Sequence, residues 1–340
     1  MALIHLANGP DSSFWAGRRV LLTGHTGFKG CWLSLWLLEL GAEVTGYALI
    51  PEQITSYKYS FFNSLGLYNR LGKYHRVGDI RDPAALSEAV AASQPDVVLH
   101  LAAQPLVRQS YIDPLNTWST NVQGSLHVLE SLRQLKHHCA VVMVTTDKVY
   151  ENKEWDYGYR ETDPLGGHDP YSASKAAAEL AISSWRDSFC GVMSHQTPHL
   201  AIATARAGNV IGGGDWAADR IIPDAMRALA AGDPIHLRNP NATRPWQHVL
   251  EPLGGYLLLA ERLFTNTVSY SGLNSACSAF NFGPTLEANR KVCELIDATL
   301  KHWPGSWIDN SNPQIPHEAG RLSLQIDKAH HQLGWQPRWD

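Results

Sequence analysis

A chain of 340 residues is long enough for about two domains, and its formal net charge of −4 excludes the basic footprint of a nucleic-acid binder. Its most apolar stretch, Cys31 to Leu40, is too short to span a bilayer and contains Glu39, and the first residues carry no signal-peptide pattern, so no membrane partner is expected. The 5 cysteines form no CxxC pair and the 16 histidines show no metal-ligand spacing, which points to a reduced, cytoplasmic protein without a metal site.

Residues 1–17 read as a loose arm whose Phe14 and Trp15 cover the start of the first strand, the apolar run Val20 to Leu22. Gly24, Gly27 and Gly30 follow it and lead into an apolar helix, which Gly41 is placed to end in a left-handed cap. Val44 to Ala48 predicts the second strand. Its end, Gly46-Tyr47-Ala48-Leu49, lacks both the carboxylate that commonly binds the adenosine ribose and an arginine for a 2′-phosphate. NAD is therefore expected over NADP, loosely held.

Residues 50–74 are irregular, and Val77 to Ile80 predicts a third strand. Asp82 is placed to cap a helix opened by Pro83. Val97 to Leu101 reads as a strand, Trp118 to Lys136 as a helix, Ala140 to Val144 as a strand and His199 to Ala205 as the last strand of this half. An alanine-rich helix opens near Tyr171. Such alternation predicts an α/β fold, a doubly wound parallel sheet. Past Arg206 the regular spacing stops. Residues 1–205 are thus read as a dinucleotide-binding domain and 206–340 as a smaller substrate-binding lobe, partly interleaved with it.

The glycine triplet has a mechanical reading. Gly24 permits a tight turn, Gly27 lets backbone approach a pyrophosphate, and Gly30 lets the helix pack closely, with phosphates on the open N–H groups of the helix N-terminus. Tyr171 and Lys175 stand one helical turn apart, where an ammonium stabilises a tyrosinate that takes the proton of a sugar hydroxyl. Thr146, Asp147 and Lys148 follow a strand end, where ligands bind in open α/β sheets. Thr146 is a hydroxyl donor, Asp147 an acid if burial protonates it, and Lys148 a base if desolvation neutralises it. Arg206, Arg220 and Arg244 are cations for a diphosphate, with a structural salt bridge as the other reading of Arg206.

These motifs, together with Thr23 to Gly30, Thr146 to Tyr150, Arg206 to Trp216 and Arg244 to Leu250, resemble the extended short-chain dehydrogenase/reductase family with its Rossmann fold, and within it the nucleotide-sugar dehydratases. The resemblance implies NAD held by Gly24, His25, Gly27, Phe28, Lys29, Gly30, Asp79, Ile80, Leu101, Ala102, Ala103, Tyr171 and Lys175. It implies a CDP-glucose substrate facing Gln104, Asn209, Arg220 and Arg244, catalysis by Thr146, Asp147, Lys148, Tyr171 and Lys175, and a homodimer or homotetramer built through the long helices. The implied reaction oxidises C4, expels the C6 hydroxyl as water and returns hydride to C6, a step toward the dideoxysugars of lipopolysaccharide O-antigen. Many members of the resembled family carry a glutamate where this chain has Lys148, and they usually continue past the position of Asp340 into another helix. A nucleotide-sugar 4-epimerase and a non-catalytic NAD sensor are the rival readings; the epimerase needs no acid at Asp147, and sensors tend to lack the Tyr-Lys pair.

Overall fold

A computed structural model describes residues 9–51, 60–189, 199–265, 276–311 and 320–339; Cys190 lies outside them. The core is a seven-stranded parallel sheet made of β1 (Arg19–Thr23), β2 (Glu43–Ala48), β3 (His75–Val77), β4 (Val97–His100), β5 (Cys139–Val144), β6 (Leu200–Ala207) and β7 (Ala279–Phe282). Across the sheet the order is β7-β6-β5-β4-β1-β2-β3, so the direction of winding reverses between β1 and β4. At such a switch point the loops leaving the two strands part and open a crevice. Val20, Leu21, Leu22, Val97, Val98, Leu99 and all of β5 are buried, as strands covered on both faces must be.

Helix α1 (Phe28–Glu39) follows the glycine loop and ends where Gly41 adopts φ +83°, the expected left-handed cap. Helix α2 (Pro83–Ser93) starts as read, with the Asp82 carboxylate accepting from the backbone N–H groups of Ala84 and Ala85. Pro114–Trp118, Ser119–Gln123 and Gly124–Leu132 run on as one rod, α3, whose middle stretch is π-wound. Helix α4 (Pro170–Phe189) crosses beside it, and α5 (Ile221–Ala231) and α6 (Leu250–Thr265) belong to the second half. No helix among the described residues is long and apolar enough to cross a membrane.

Four expectations need correction. The third strand is His75–Val77, not Val77 to Ile80. Gly78 donates the last bond to the Ala48 carbonyl, the Tyr47 ring occupies the space where a Gly78 side chain would sit, and Asp79 to Asp82 turn away from the sheet. The long helix begins at Pro114, capped by Asp113, and its α-helical part stops at Leu132. In the arm, Ser12–Trp15 is a helical turn capped by Asp11, and Trp15 is fully buried with its indole N–H on Glu261. Within 50–74 lie two short helices, Phe61–Ser64 and Leu67–Leu71, whose Phe62, Leu67 and Leu71 join the core under β2.

Past residue 206 the chain does not stay apart from the sheet. Helix α6 packs on β5 and β6, and β7 extends the sheet beside β6 with Ala279 to Phe282 opposite Thr204 to Ala207. The remainder forms short two-stranded ribbons, α5 and the helices Val292–Leu300 and Asp327–Leu333.

Candidate active site

The glycine loop fills the switch point. Gly24 sits at φ +76°, and a Cβ there would lie 2.7 Å from the Ala102 nitrogen, so the β1 turn presses directly on the residues leaving β4. A Cβ on Gly30 would run into the Gly24 carbonyl, which is why the helix can return so tightly over the turn. Gly27 is different. It caps α1 without a side-chain hydrogen bond, and a Cβ there would meet only the Gly24 oxygen, at 3.4 Å. The space beside Gly27 at the helix N-terminus is thus open, and the first-turn N–H groups have no carbonyl partner within the helix, a cradle that fits a pyrophosphate.

The adenosine side is built unusually. His25 is buried in the space left by Gly46, its Nε2 2.7 Å from His75 Nδ1, and burial holds it neutral, down to about 3. At the end of β2, Leu49 stands 59 % exposed where a ribose-binding carboxylate is common. The nearest acid past β3 is Asp79, whose carboxylate is gripped by the Arg81 guanidinium and held below its usual range. Ile80 turns inward against Gly124 of α3, and its carbonyl lies 3.0 Å from His127 Nδ1 on the same rod.

The reacting floor lies past the ends of β5 and β6. Tyr171 and Lys175 are both buried on α4; burial pushes the Tyr171 phenol up to about 12 and pulls the Lys175 ammonium down to about 8. Lys175 Nζ donates to the Val144 carbonyl at 3.3 Å, which fixes it beneath the strand end. Thr146 reaches the Tyr171 phenol and also donates to Asp147 Oδ1 at 3.0 Å. Asp147 is 2 % exposed, and its Oδ2 has no hydrogen-bond partner. Burial raises its pKa, against the opposing pull of Lys148, Thr146, Arg244 and Lys29, as the acid role requires.

The other expected residues divide. Arg220 pairs with Asp215 at 2.9 Å and also lowers the Tyr171 pKa, which places it at the floor. Arg244 acts on Asp147 while donating to the Thr243 and Gly320 carbonyls. Asn209 lies in the loop beyond β6, and Leu101 to Ala103 line the turn beyond β4. Gln104 does not present its amide to the cleft. Its side chain donates to Leu106 O and Thr117 Oγ1 and accepts from the Leu106 N–H, so it fastens its own loop. Arg206 makes the structural pair, 2.8 Å from Glu179 with both side chains 4 % exposed, and also donates to Tyr150.

Two groups escaped the sequence reading. Asn121, in the π-wound stretch of α3, accepts from the Gln104 N–H and donates to the Gln104 carbonyl and to Ser174 Oγ, clamping the β4 loop to the helix of Tyr171. A buried asparagine inside an apolar helix was its only sequence signal. Glu179 sits one turn beyond Lys175 and accepts from Thr145, Thr204 and Arg206, anchoring α4 to the sheet.

A cleft that offers a phosphate cradle at one end and a buried Tyr–Lys pair with a desolvated carboxyl of raised pKa at the other supports hydride and proton chemistry on an alcohol. That is the working arrangement of extended short-chain dehydrogenases/reductases, and the sheet order agrees. Comparison with known proteins narrows the class: the family described as GDP-mannose 4,6 dehydratase matches over residues 21–340, and the chain belongs to it. It is 48 % identical over 333 residues to the CDP-glucose 4,6-dehydratase of Salmonella typhimurium, covering 97 % of this chain and 89 % of that protein. It is 25 % identical to the UDP-glucose 4-epimerase of Lacticaseibacillus casei, covering 94 % and 92 %. Among solved structures, a dTDP-glucose 4,6-dehydratase from Streptomyces venezuelae, described with NAD bound, superposes with a TM-score of 0.76 at 23 % identity over 95 % of this chain and 92 % of that one; it shares the fold.

Proposed function

We propose that this chain converts CDP-D-glucose to CDP-4-dehydro-6-deoxy-D-glucose with NAD as resident cofactor. The observation that carries the reading is Asp147. An epimerase has no use for a buried carboxyl of raised pKa with an unpartnered oxygen beside the tyrosine, whereas loss of a C6 hydroxyl requires a proton donor there. The 48 % likeness to a protein of that activity supports the same choice.

NAD, held by the glycine loop, would supply the hydride acceptor and donor for C4 and C6. The protein does the rest. Tyr171 takes the C4 hydroxyl proton; burial holds its phenol up at about 12, and the positive charges of Arg220, Lys175 and a bound cationic ring would help it ionise. Thr146 orients the same hydroxyl. Asp147 gives its proton to the departing C6 oxygen, and Lys148, next to it in the 3-10 turn Asp147–Val149, is the proposed base for C5. The ribbons and α5 past residue 206 form the substrate lobe, with Arg220, Arg244 and Asn209 gripping the diphosphate and sugar, and Gly24 to Gly30, Asp79, Ile80 and Leu101 to Ala103 line the cofactor.

The product feeds dideoxysugar synthesis for lipopolysaccharide, in the cytoplasm, from a homo-oligomer. The exposed Ile112, Leu115 and Leu180, 76 %, 81 % and 62 % accessible on neighbouring helices, support pairing with a second copy across that face. Incubation of the purified protein and NAD with CDP-, UDP- and dTDP-glucose, with products identified by mass, tests the reading. Loss of water from CDP-glucose is expected; an isomer of unchanged mass establishes the epimerase instead. NADP in place of NAD is expected to bind more weakly, because the Arg81 guanidinium past β3 is already engaged by Asp79 and Asn116 and so is not available to meet a 2′-phosphate.

A further inference from the structure

Tyr171, Lys175 and Glu179 follow one another at single-turn intervals along α4, and all three are buried. The proposed chemistry uses the first two and leaves Glu179 without a part in it. Burial opposes a charge on this side chain, yet Arg206 at 2.8 Å, Thr145 Oγ1 at 2.5 Å and Thr204 Oγ1 at 2.8 Å hold it ionised, below the usual carboxylate range. Thr145 precedes Thr146, so the carboxylate is tied to the strand end that carries the reacting floor. Arg206 in turn donates to Tyr150 and to the Glu161 carbonyl. Lys175 is served less well. Its Nζ donates to the Val144 carbonyl at 3.3 Å, a neutral partner that does not balance an ammonium out of water. Around it stand His100 at the end of β4, which burial keeps neutral, and Lys29 of α1, which repels it. Burial pulls the Lys175 ammonium down to about 8, and Glu179 is the charge that opposes the pull.

We propose that Glu179 is a positioning residue for the reaction as well as a helix anchor: its carboxylate holds the proton on Lys175, and through that ammonium it favours the tyrosinate form of Tyr171. The inference rests on the base role given to Tyr171 above. In that step the C4 hydroxyl O–H bond breaks and its proton passes to Tyr171. No proton leaves Lys175 or Glu179, whose charges act from fixed places. An anchor needs hydrogen bonds but no net charge, so an amide at position 179 separates the two roles. Side chains at this helical spacing lie about 6 Å apart. At that distance, and at an effective dielectric of about 20–40, a unit charge moves a titration by about one to two pH units. With glutamine at 179 the Lys175 titration therefore falls from about 8 to about 6–7, and the tyrosinate loses its counter-charge at neutral pH.

Magnetic resonance of the full-length protein labelled with a heavy carbon isotope at lysine Cε reads the charge on Lys175 without turnover, its signal being the one that K175M lacks. The parent midpoint should lie near pH 8. In E179Q it should fall by about one pH unit or more, and the alkaline limb of kcat for water loss from CDP-glucose should fall with it. E179D, which keeps the charge, should return both toward the parent values. T204V, which removes one hydrogen bond and no charge, should leave both in place. An unmoved Lys175 midpoint in E179Q overturns the inference, and so does a midpoint that falls while the kcat profile stays. A shift as large in T204V makes the effect one of packing and overturns it as well. If E179Q does not fold, E179Q/R206M, which leaves neither buried charge unpaired, takes its place, and its midpoint should also lie below that of the parent. A parent that acts on no nucleotide-glucose removes the proposed function and the inference together, whereas an active parent whose limb does not move in E179Q removes the inference alone.

Discussion

Asp147→Asn keeps the volume of the side chain and one acceptor oxygen while removing the proton that the C6 hydroxyl needs. The native carboxyl is buried, takes one hydrogen bond from Thr146 at 3.0 Å, and leaves Oδ2 facing Gly208, where a Cβ would stand 2.9 Å from it. Turnover should fall by ~10²–10⁴, the usual contribution of a positioned acid. Oxidation at C4 does not draw on the Asp147 proton, so the variant should stall after it, with the absorbance of reduced nicotinamide persisting. Stability should move the other way. A carboxyl whose native pKa is raised holds its proton more tightly when folded, so its stabilising contribution is complete below the unfolded value of about 3.9 and is lost as pH rises through the native value. Above that point the fold carries a desolvated carboxylate short of one partner, a cost of about 1–3 kcal/mol that Lys148, Arg244 and Lys29 partly offset. The variant should therefore be more stable than the parent by about 1 kcal/mol at pH 8, with the gap closing near pH 4. Urea denaturation at both pH values and product mass spectrometry check the two halves. Dehydration within about tenfold of the parent rate refutes the acid role. A variant less stable at both pH values refutes the burial argument.

Tyr171→Phe removes the one ionisable atom of that side chain and should cut turnover by ~10²–10⁴ with little change in CDP-glucose affinity, measured by calorimetry beside steady-state rates. Lys148→Met should still oxidise C4 but fail to exchange the C5 hydrogen with deuterated solvent; exchange near the parent rate leaves Lys148 as a loop lysine. Gly30→Ala drives a methyl into the Gly24 carbonyl, so NAD binding should be lost and the melting temperature should fall, the first read by calorimetry and the second by circular dichroism. Glu179→Ala strands the buried Arg206 guanidinium and should cost about 3–5 kcal/mol in urea denaturation, whereas Glu179→Gln should cost less.

The cofactor half of this protein could be read directly from its residues. Gly24, Gly27 and Gly30 at their spacing, β-prone runs before them and an apolar helix after them are local facts, set by backbone sterics and by burial on both faces of a parallel sheet. The one-turn offset of Tyr171 and Lys175, and the position of Thr146 and Asp147 at a strand end, are local in the same way, and so is the lack of an acid at the end of β2. What needed tertiary structure was every property that depends on which distant groups meet. Arg206 is a helix anchor because Glu179 of α4 meets it on β6, Gln104 is a loop fastener because Thr117 stands beside it, and Lys29 turns away from the glycine loop because α6 carries Tyr256 to it. Side chains of the same chemistry, a basic group or an amide, thus took different roles according to desolvation and neighbours. Those are supplied by packing between segments far apart in the chain, and no spacing along the sequence encodes them.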